Sequence, residues 1–430
     1  LLMVNILQVT QGLGLFVGIV VGSLVIFLSW LFFRMKIMGK SLLPQEGPPG
    51  EFAWTTLGLC LWYFSGLVLD GWAHTHGEVD ASFFTPWHAL FYSGFIAYSG
   101  FIIWTLWRIS TEPFSFSKNR FISFFSGMPK GYGPAVVGMI LFGIAGVGDM
   151  IWHILFGLEG GLDILLSPTH LMLAAGMAIG VMAPFWVSWH HSHDKEHLFK
   201  NQLSGVVSLG ICMSVLTFFT RFAHLQNLNL KEICRGHGSA IIAQADNCTT
   251  SLRFSQNLPT TAVFSDDGFQ LGIISMQVQA VIMMGIILLY LKRWNPARGT
   301  LLTLFAVNGL AVSFLAPGPL EDIPGKLLLT IVIGIIAEYL YHFVQPKSNR
   351  IRWFAFAFLL PLLANLAWWL FMIINHGFSF EIENSEIILG PLGWSVHGTF
   401  GTFVAAGFTG AFIALISDSP ELPNHSIVSD

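Results

Sequence analysis

The sequence predicts an all-α fold, a polytopic transmembrane helical bundle of about eleven spans. Three observations predict it. The chain is 54% hydrophobic and 10% charged, with a mean hydropathy of +0.67. Apolar runs of bilayer length recur along it, and its Lys and Arg residues collect in alternate loops. We therefore expect one integral membrane domain over residues 1–430, with the lipid bilayer as its partner. A net charge of −4 without a dense basic cluster predicts no nucleic-acid partner.

Apolar runs define the predicted spans in order along the chain. The first run, over residues 14–33, lacks a basic leader and a small-residue cleavage site, so we expect a retained anchor rather than a signal peptide. The eighth run, over residues 300–316, is the weakest of the predicted spans. The spans lie within residues 13–33, 53–73, 86–107, 134–156, 168–189, 203–223, 269–291, 300–316, 326–345, 353–375 and 393–416.

The positive charges predict an orientation. Fifteen of the 20 Lys and Arg residues fall in loops on one side of the predicted membrane. Under the positive-inside rule that side is cytoplasmic, which puts the N-terminus outside and the C-terminus inside a multi-pass protein of the cell membrane. The one sizeable polar insert, residues 226–268, is then an extracytoplasmic loop. Cys234 and Cys248 lie in it, and an oxidising compartment would allow them either to pair or to stay free.

Acidic and histidine side chains gather where the second predicted span ends and the third begins. Asp70 and His74 stand four residues apart, so a helix presents them on one face, one turn apart. Thr85 begins a Thr-Pro-x-His sequence that is typical of a helix start, with a capping hydroxyl and a proline in the first turn. His88 lies in that turn. The hairpin over residues 53–107 therefore offers one carboxylate and two imidazoles.

The same pattern recurs in the fourth and fifth predicted spans. Asp149 and His153 repeat the four-residue spacing, and the Ser-Pro-Thr-His sequence from Ser167 puts His170 in the first turn of the next helix. We interpret residues 134–190 as a second copy of the hairpin. A single copy is explained well by capping and interfacial hydrogen bonding. Two copies favour a bound ion, because each intramembrane carboxylate costs about 2.5 to 3.5 kcal/mol to insert.

Each hairpin thus offers three ligands of a kind that copper, zinc, iron and manganese accept. We predict that both sets bind metal near the outer face of the membrane. Further carboxylates close by in the sequence could complete a site or orient the imidazoles. The six predicted ligands are Asp70, His74, His88, Asp149, His153 and His170, and the nearby carboxylates are Glu78, Asp80, Glu159 and Asp163.

The sequence DGWAH at residues 70–74, followed by FTPWH at residues 84–88, resembles a metal-binding stretch of a known family. That family is the copper-dependent membrane monooxygenases, the methane and ammonia monooxygenases, in which the stretch belongs to a membrane-embedded chain. The resemblance implies a copper site from the first set of ligands, and the internal repeat extends the role to the second. It further implies an oxidoreductase of the monooxygenase type that acts on a small hydrophobic substrate. Its partners would be other membrane proteins of the same complex or further copies of this chain.

Other functions stay open at the level of the sequence. Zinc and iron accept the same donors as copper. A metal transporter, or a factor that assembles metal centres, would use the same ligand types, although an ion path would carry them through the membrane depth. A membrane protein that binds haem could use His88 with His170, or His153 with His397, as axial ligands. A non-catalytic scaffold would use these acids and histidines only for hydrogen bonds to one another.

Overall fold

The computed structural model divides the chain into two compact units. Unit 1 comprises Leu1–Asn229 and Trp294–Ile335, and unit 2 comprises Leu230–Arg293 and Ile336–Asp430. One continuous membrane domain stays a prediction. The residues that the structure describes are 2–43, 50–77, 83–109, 131–157, 163–191, 199–228, 233, 267–316, 320–378, 380–383 and 386–418.

Helices make up almost all of the regular structure in the described residues. A π-helical turn, Phe33–Ile37, continues the first helix, and 3-10 turns precede or follow several others. The helices are α1 (Leu2–Phe32), α2 (Glu51–Thr75), α3 (Pro86–Ile109), α4 (Gly133–Phe156), α5 (Asp163–Leu166), α6 (Pro168–Val181), α7 (Ala183–His191), α8 (Phe199–Phe219), α9 (Asp267–Arg293), α10 (Thr300–Leu315), α11 (Ile323–Val344), α12 (Arg350–His376) and α13 (Val396–Ser417).

Ten helical segments within the described chain are long and apolar enough to cross a membrane. The predicted all-α, polytopic bundle is confirmed, and ten agrees closely with the eleven predicted runs. The difference is α10, which covers the weakest predicted span. It is apolar but only 16 residues long, slightly shorter than the roughly 17 to 25 residues of a typical transmembrane helix.

The predicted span over residues 168–189 is two helices rather than one. A turn at Met182 separates α6 from α7, and Pro184 follows directly. Proline has no N–H to donate to Gly180, four residues back. The hydroxyl of Tyr98 on α3 donates to that carbonyl oxygen instead, at 2.7 Å, and the hydroxyl of Ser208 donates to Val181 O at 2.6 Å. Side chains of neighbouring helices therefore satisfy the interrupted backbone inside the bundle.

Glycines bring the helices of each predicted hairpin into backbone contact. A Cβ atom added at Gly66 of α2 would lie 2.4 Å from the Cα atom of Phe91 on α3. In the second hairpin, a Cβ atom added at Gly138 of α4 would lie 2.4 Å from the backbone nitrogen of Gly180 on α6. Small residues at such crossings are typical of helix pairs packed within membranes. The helices of each hairpin are thus closely packed.

The close crossing predicts a selective loss of stability. Changing Gly138 to Ala should destabilise the second hairpin by about 1 to 3 kcal/mol, because the added methyl group meets backbone that cannot rotate away. Changing Gly143 to Ala in the same helix is the matched control, since its Cβ would meet only the Phe95 ring at an ordinary 3.6 Å. The measurement is the thermal midpoint of each purified variant in one detergent. Equal midpoints for the two variants would show that α4 and α6 are not in backbone contact at Gly138.

Unit 2 contains a small sheet that was not expected from the sequence. Its antiparallel strands are β1 (Phe380–Glu383), β2 (Glu386–Leu389) and β3 (Trp394–Ser395), in that order. The buried indole of Trp394 donates a hydrogen bond to Ile233 O at 2.8 Å. The alternation of Phe, Glu, Ile and Glu in β1 is typical of a strand. Most of the insert over residues 226–268, with Cys234 and Cys248, lies outside the described residues.

Candidate metal centre

Asp149, His153 and His170, the second triad, form a compact group in unit 1. Asp149 and His153 lie one turn apart on α4, and His170 lies in the first turn of α6. The Nε2 atom of His170 is 3.1 Å from Asp149 Oδ1, and that of His153 is 3.5 Å from Asp149 Oδ2. One ligand atom from each residue lies within 4.8 Å of the other two. Among the residues that the structure describes, this is the one group of three with that compactness.

A hydrogen-bond chain at the start of α6 fixes the carboxylate of this triad. Ser167 caps the helix, because its hydroxyl accepts from the backbone N–H of His170. The Thr169 hydroxyl lies 3.2 Å from Ser167 Oγ and donates to Asp149 Oδ1 at 2.9 Å. The side chain of Asp149 is only 2% exposed. Thr169 therefore orients a buried carboxylate, a role that the sequence alone did not indicate.

Asp70, His74 and His88, the first triad, have the same arrangement with longer distances. The Nε2 atom of His88 is 3.4 Å from Asp70 Oδ1, and that of His74 is 3.9 Å from Asp70 Oδ2. Thr85 caps α3 as Ser167 caps α6, and accepts from the His88 N–H at 3.0 Å. The position that matches Thr169 is Trp87, whose side chain has no hydroxyl to donate. The carboxylate of the first triad thus lacks the hydroxyl contact that orients Asp149.

Backbone carbonyls orient three of the four imidazoles. His88 Nδ1 lies 2.7 Å from Phe83 O, His170 Nδ1 lies 2.5 Å from Ile164 O, and His153 Nδ1 lies 3.3 Å from Gly157 O. A carbonyl oxygen only accepts, so each Nδ1 carries the hydrogen. In a neutral imidazole the lone pair then sits on Nε2, the atom that faces the aspartate. A carbonyl acceptor on the opposite nitrogen is the usual arrangement around a metal-binding histidine.

The two triads lie at the same end of unit 1, on either side of an aromatic ring. The Phe83 ring centroid is 4.9 Å from that of His88 and 6.2 Å from that of His153. Tyr92, one turn beyond His88, packs beside both rings, with centroids 5.7 Å from that of Phe83 and 6.1 Å from that of His88. The two predicted sites are therefore neighbours, which sequence spacing alone does not reveal.

The structure thus places all six predicted ligands in two groups. Of the nearby carboxylates, the residues at positions 78, 80 and 159 lie outside the described residues, as does the side chain of Asp163. The contributions of Thr169 and Tyr92 and of the carbonyl groups were not predicted. A hydroxyl residue between Pro168 and His170 was the one available signal, because it can donate to a carboxylate on the adjacent helix.

His224, which follows the 3-10 turn Arg221–Ala223, is buried and neutral. Its Nδ1 atom accepts from the backbone N–H of Gln226 at 3.3 Å. Burial lowers the pKa of His224 to about 4. The turn that follows α8 therefore satisfies this histidine locally.

The lowered pKa predicts a pH-dependent stability. An unfolded histidine has a pKa of about 6.5, so below that pH the unfolded chain takes up a proton that folded His224 does not bind. This loss should reach about 3 kcal/mol of unfolding free energy as the pH falls from about 6.5 to about 4. Changing His224 to Gln should reduce the difference in thermal midpoint between those pH values. Changing the exposed His397 to Gln should leave that difference unchanged. Equal pH profiles for both variants would contradict the prediction.

Fold and site together define a class, a multi-pass helical protein of membrane type with an Asp/His/His group that could hold a metal ion. No family model, no curated protein and no solved structure matches this chain. The resemblance to the copper-dependent membrane monooxygenases is therefore neither supported nor opposed by these comparisons.

Proposed function

We propose that this chain is an integral membrane copper protein with two Asp/His/His centres, and that it is an oxidoreductase acting on a small hydrophobic substrate. The observation that supports it most is the orientation of His170 against Asp149. The Nδ1 hydrogen points to Ile164 O, so a neutral His170 directs its Nε2 lone pair at a carboxylate oxygen 3.1 Å away. Two acceptors at that distance repel one another unless a cation or a proton lies between them.

Charge balance favours a metal ion over protons at the second triad. Both imidazoles direct Nε2 at the same carboxylate. If protons alone relieved the repulsion, each imidazole would have to be protonated, which would place two positive charges beside Asp149. His170 also lies at the start of α6, where the helix dipole disfavours a positive charge on the ring. His153, His170 and Asp149 would hold a single Cu⁺ ion, which would occupy both lone pairs and balance the charge of the carboxylate. That balance suits a side chain that is only 2% exposed.

Copper ranks above zinc and iron because of the resemblance of residues 70–88 to a copper-binding stretch. Bound copper would supply one-electron redox chemistry, which zinc does not. The chain itself holds the proposed ligands, orients three of the four imidazoles through backbone carbonyls, and places the rings of Phe83 and Tyr92 against His88. These rings give the site an apolar wall, which suits a hydrophobic substrate that arrives from the lipid.

Two rival functions receive less support from the described residues. A transporter would need acids or histidines along the depth of the membrane. The four helices that carry the triads have none away from them, over residues 52–69, 89–107, 133–148 and 171–181. For haem ligation, His88 and His170 would have to face one haem. Each instead directs Nε2 to the aspartate of its own hairpin.

Elemental analysis and a visible spectrum test the proposal together. Protein purified without a histidine tag should contain about two copper ions per chain, one for each set of three ligands. Zinc or iron in place of copper would overturn the metal assignment. A Soret band would establish haem and exclude the copper centres as the resident cofactor. Protein with two copper ions should then be assayed for oxidation of short hydrocarbons in native membranes, since copper content alone leaves the reaction untested.

A further inference from the structure

Phe83, which lies just before the capped start of α3, contacts an imidazole of each triad. Its backbone oxygen lies 2.7 Å from His88 Nδ1 and accepts the hydrogen on that atom, and its ring centroid is 4.9 Å from that of His88. The same ring lies 6.2 Å from the His153 ring of the second triad. The side chain of Phe83 offers no ligand atom, so any effect that it has on a metal ion acts through these two histidines.

A second ring, that of Tyr92, connects Phe83 to the other hairpin. Its centroid is 5.7 Å from that of Phe83. Tyr92 also fits against α4 where Gly146 has no side chain, because a Cβ atom added there would lie 3.0 Å from Tyr92 Cε1. Gly146 precedes Asp149 by three residues, so this contact lies about one turn from a predicted ligand. In such close packing, a ring that is fixed restricts the rings beside it.

We propose that Phe83 is a positioning residue that couples the two proposed copper centres, so that an ion bound at one triad strengthens binding at the other. This inference rests on the copper sites proposed above. An ion fixes the imidazole that it binds, and a fixed His88 or His153 restricts the Phe83 ring that packs on it. The first ion therefore meets the cost of ordering Phe83, and the second ion binds to a triad that is already arranged.

Charge does not oppose this coupling. Each triad has one aspartate, and a Cu⁺ ion with two neutral imidazoles would leave each filled centre without net charge, so the two centres repel one another only weakly. The half-filled protein is then less abundant than two independent sites would make it. That suits the proposed oxidation, because removing two electrons from a substrate takes two copper ions that each accept one.

Titration of the full-length protein with Cu⁺, without oxygen and in competition with a chelator of known affinity, tests the inference. Two double variants each isolate one triad and keep the imidazole that contacts Phe83. They are Asp149→Asn with His170→Ala, and Asp70→Asn with His74→Ala. In the parent, the second ion should bind about fivefold more tightly than the curves of these variants predict. Coupling of this size changes affinity and leaves the number of ions bound in excess copper unchanged.

Changing Phe83 to Leu should abolish the coupling, because leucine keeps the backbone carbonyl but removes the ring. In that background the two-site curve should equal the sum of the curves for the separate triads. Phe83→Tyr keeps the ring and should retain the coupling. The matched control is Phe95→Leu, since Phe95 lies further along α3 and packs on Tyr63 and Phe142. This variant should show the parent's coupling.

Two results would overturn the inference. One is a parent curve that equals the sum of the two single-triad curves. The other is a Phe83→Leu variant that retains the coupling, whatever its copper affinity, because Phe83 would then contribute only to the structure of each site. A chain that binds no copper at either triad would instead overturn the proposed function.

Discussion

Changing His153 and His170 together to Ala is expected to remove about one of the two proposed copper ions, and changing His74 and His88 to Ala is expected to remove the other. Each double change deletes both nitrogen ligands of one triad and leaves a single carboxylate, which binds copper weakly. The measurement is copper per chain after dialysis against a weak chelator. The two effects should add, because the triads use no common ligand.

The chain contains a matched control for these changes. Glu338 and His342 on α11 have the same four-residue spacing, with His342 Nε2 at 3.4 Å from Glu338 Oε1. They form a pair without a third ligand in the described residues. Changing His342 to Ala should leave both copper ions in place. Full copper content after either double change in the triads would show that the copper is bound elsewhere.

Changing Thr169 to Val is expected to weaken copper binding at the second triad by roughly 10- to 100-fold, the usual effect of losing a group that orients a ligand. Valine keeps the shape of threonine but removes the hydroxyl that donates to Asp149 Oδ1. The carboxylate then loses its fixed orientation and one of its hydrogen bonds. Competition with a chelator of known copper affinity gives the change in Kd.

The control for this change is Thr402 to Val in α13. Thr402 donates to Gly398 O at 2.7 Å within its own helix, far from the triads in sequence. Both variants remove one buried hydroxyl, but only that of Thr169 donates to a proposed ligand. Equal copper affinity in the Thr169 variant and the parent would show that the carboxylate does not need this donor.

The sequence predicted the helix pairs and the proximity of Asp to His within them, whereas metal binding by these residues stays a prediction. Asp70 with His74, and Asp149 with His153, follow from helical spacing, which is a local property. The capped starts of α3 and α6 follow from the Thr-Pro and Ser-Pro sequences, because a cap depends on residues adjacent in the chain. Local rules therefore located each triad within its hairpin.

What the sequence could not predict depends on contacts between distant segments. The bond from Thr169 to Asp149 joins residues on different helices, and the position of Phe83 between the triads depends on how the hairpins pack. The break at Met182 was missed because Pro184 alone is tolerated within a membrane span. The Tyr98 hydroxyl that satisfies Gly180 O belongs to another helix, so the local sequence does not reveal it. The longer distances within the first triad are likewise a property of packing.

The glycine crossings have a consequence for how this protein is made. Because Gly66 and Gly138 bring their partner helices into backbone contact, the ends that carry the ligands are already fixed when the helices have packed. Small zinc domains fold only when they bind their ion, whereas the residues at these crossings are not proposed ligands, so we expect the helices to associate without the proposed ion. If the triads hold copper as proposed, the ion-free form would keep the same packed helices, and copper could be supplied or withdrawn without dismantling the bundle.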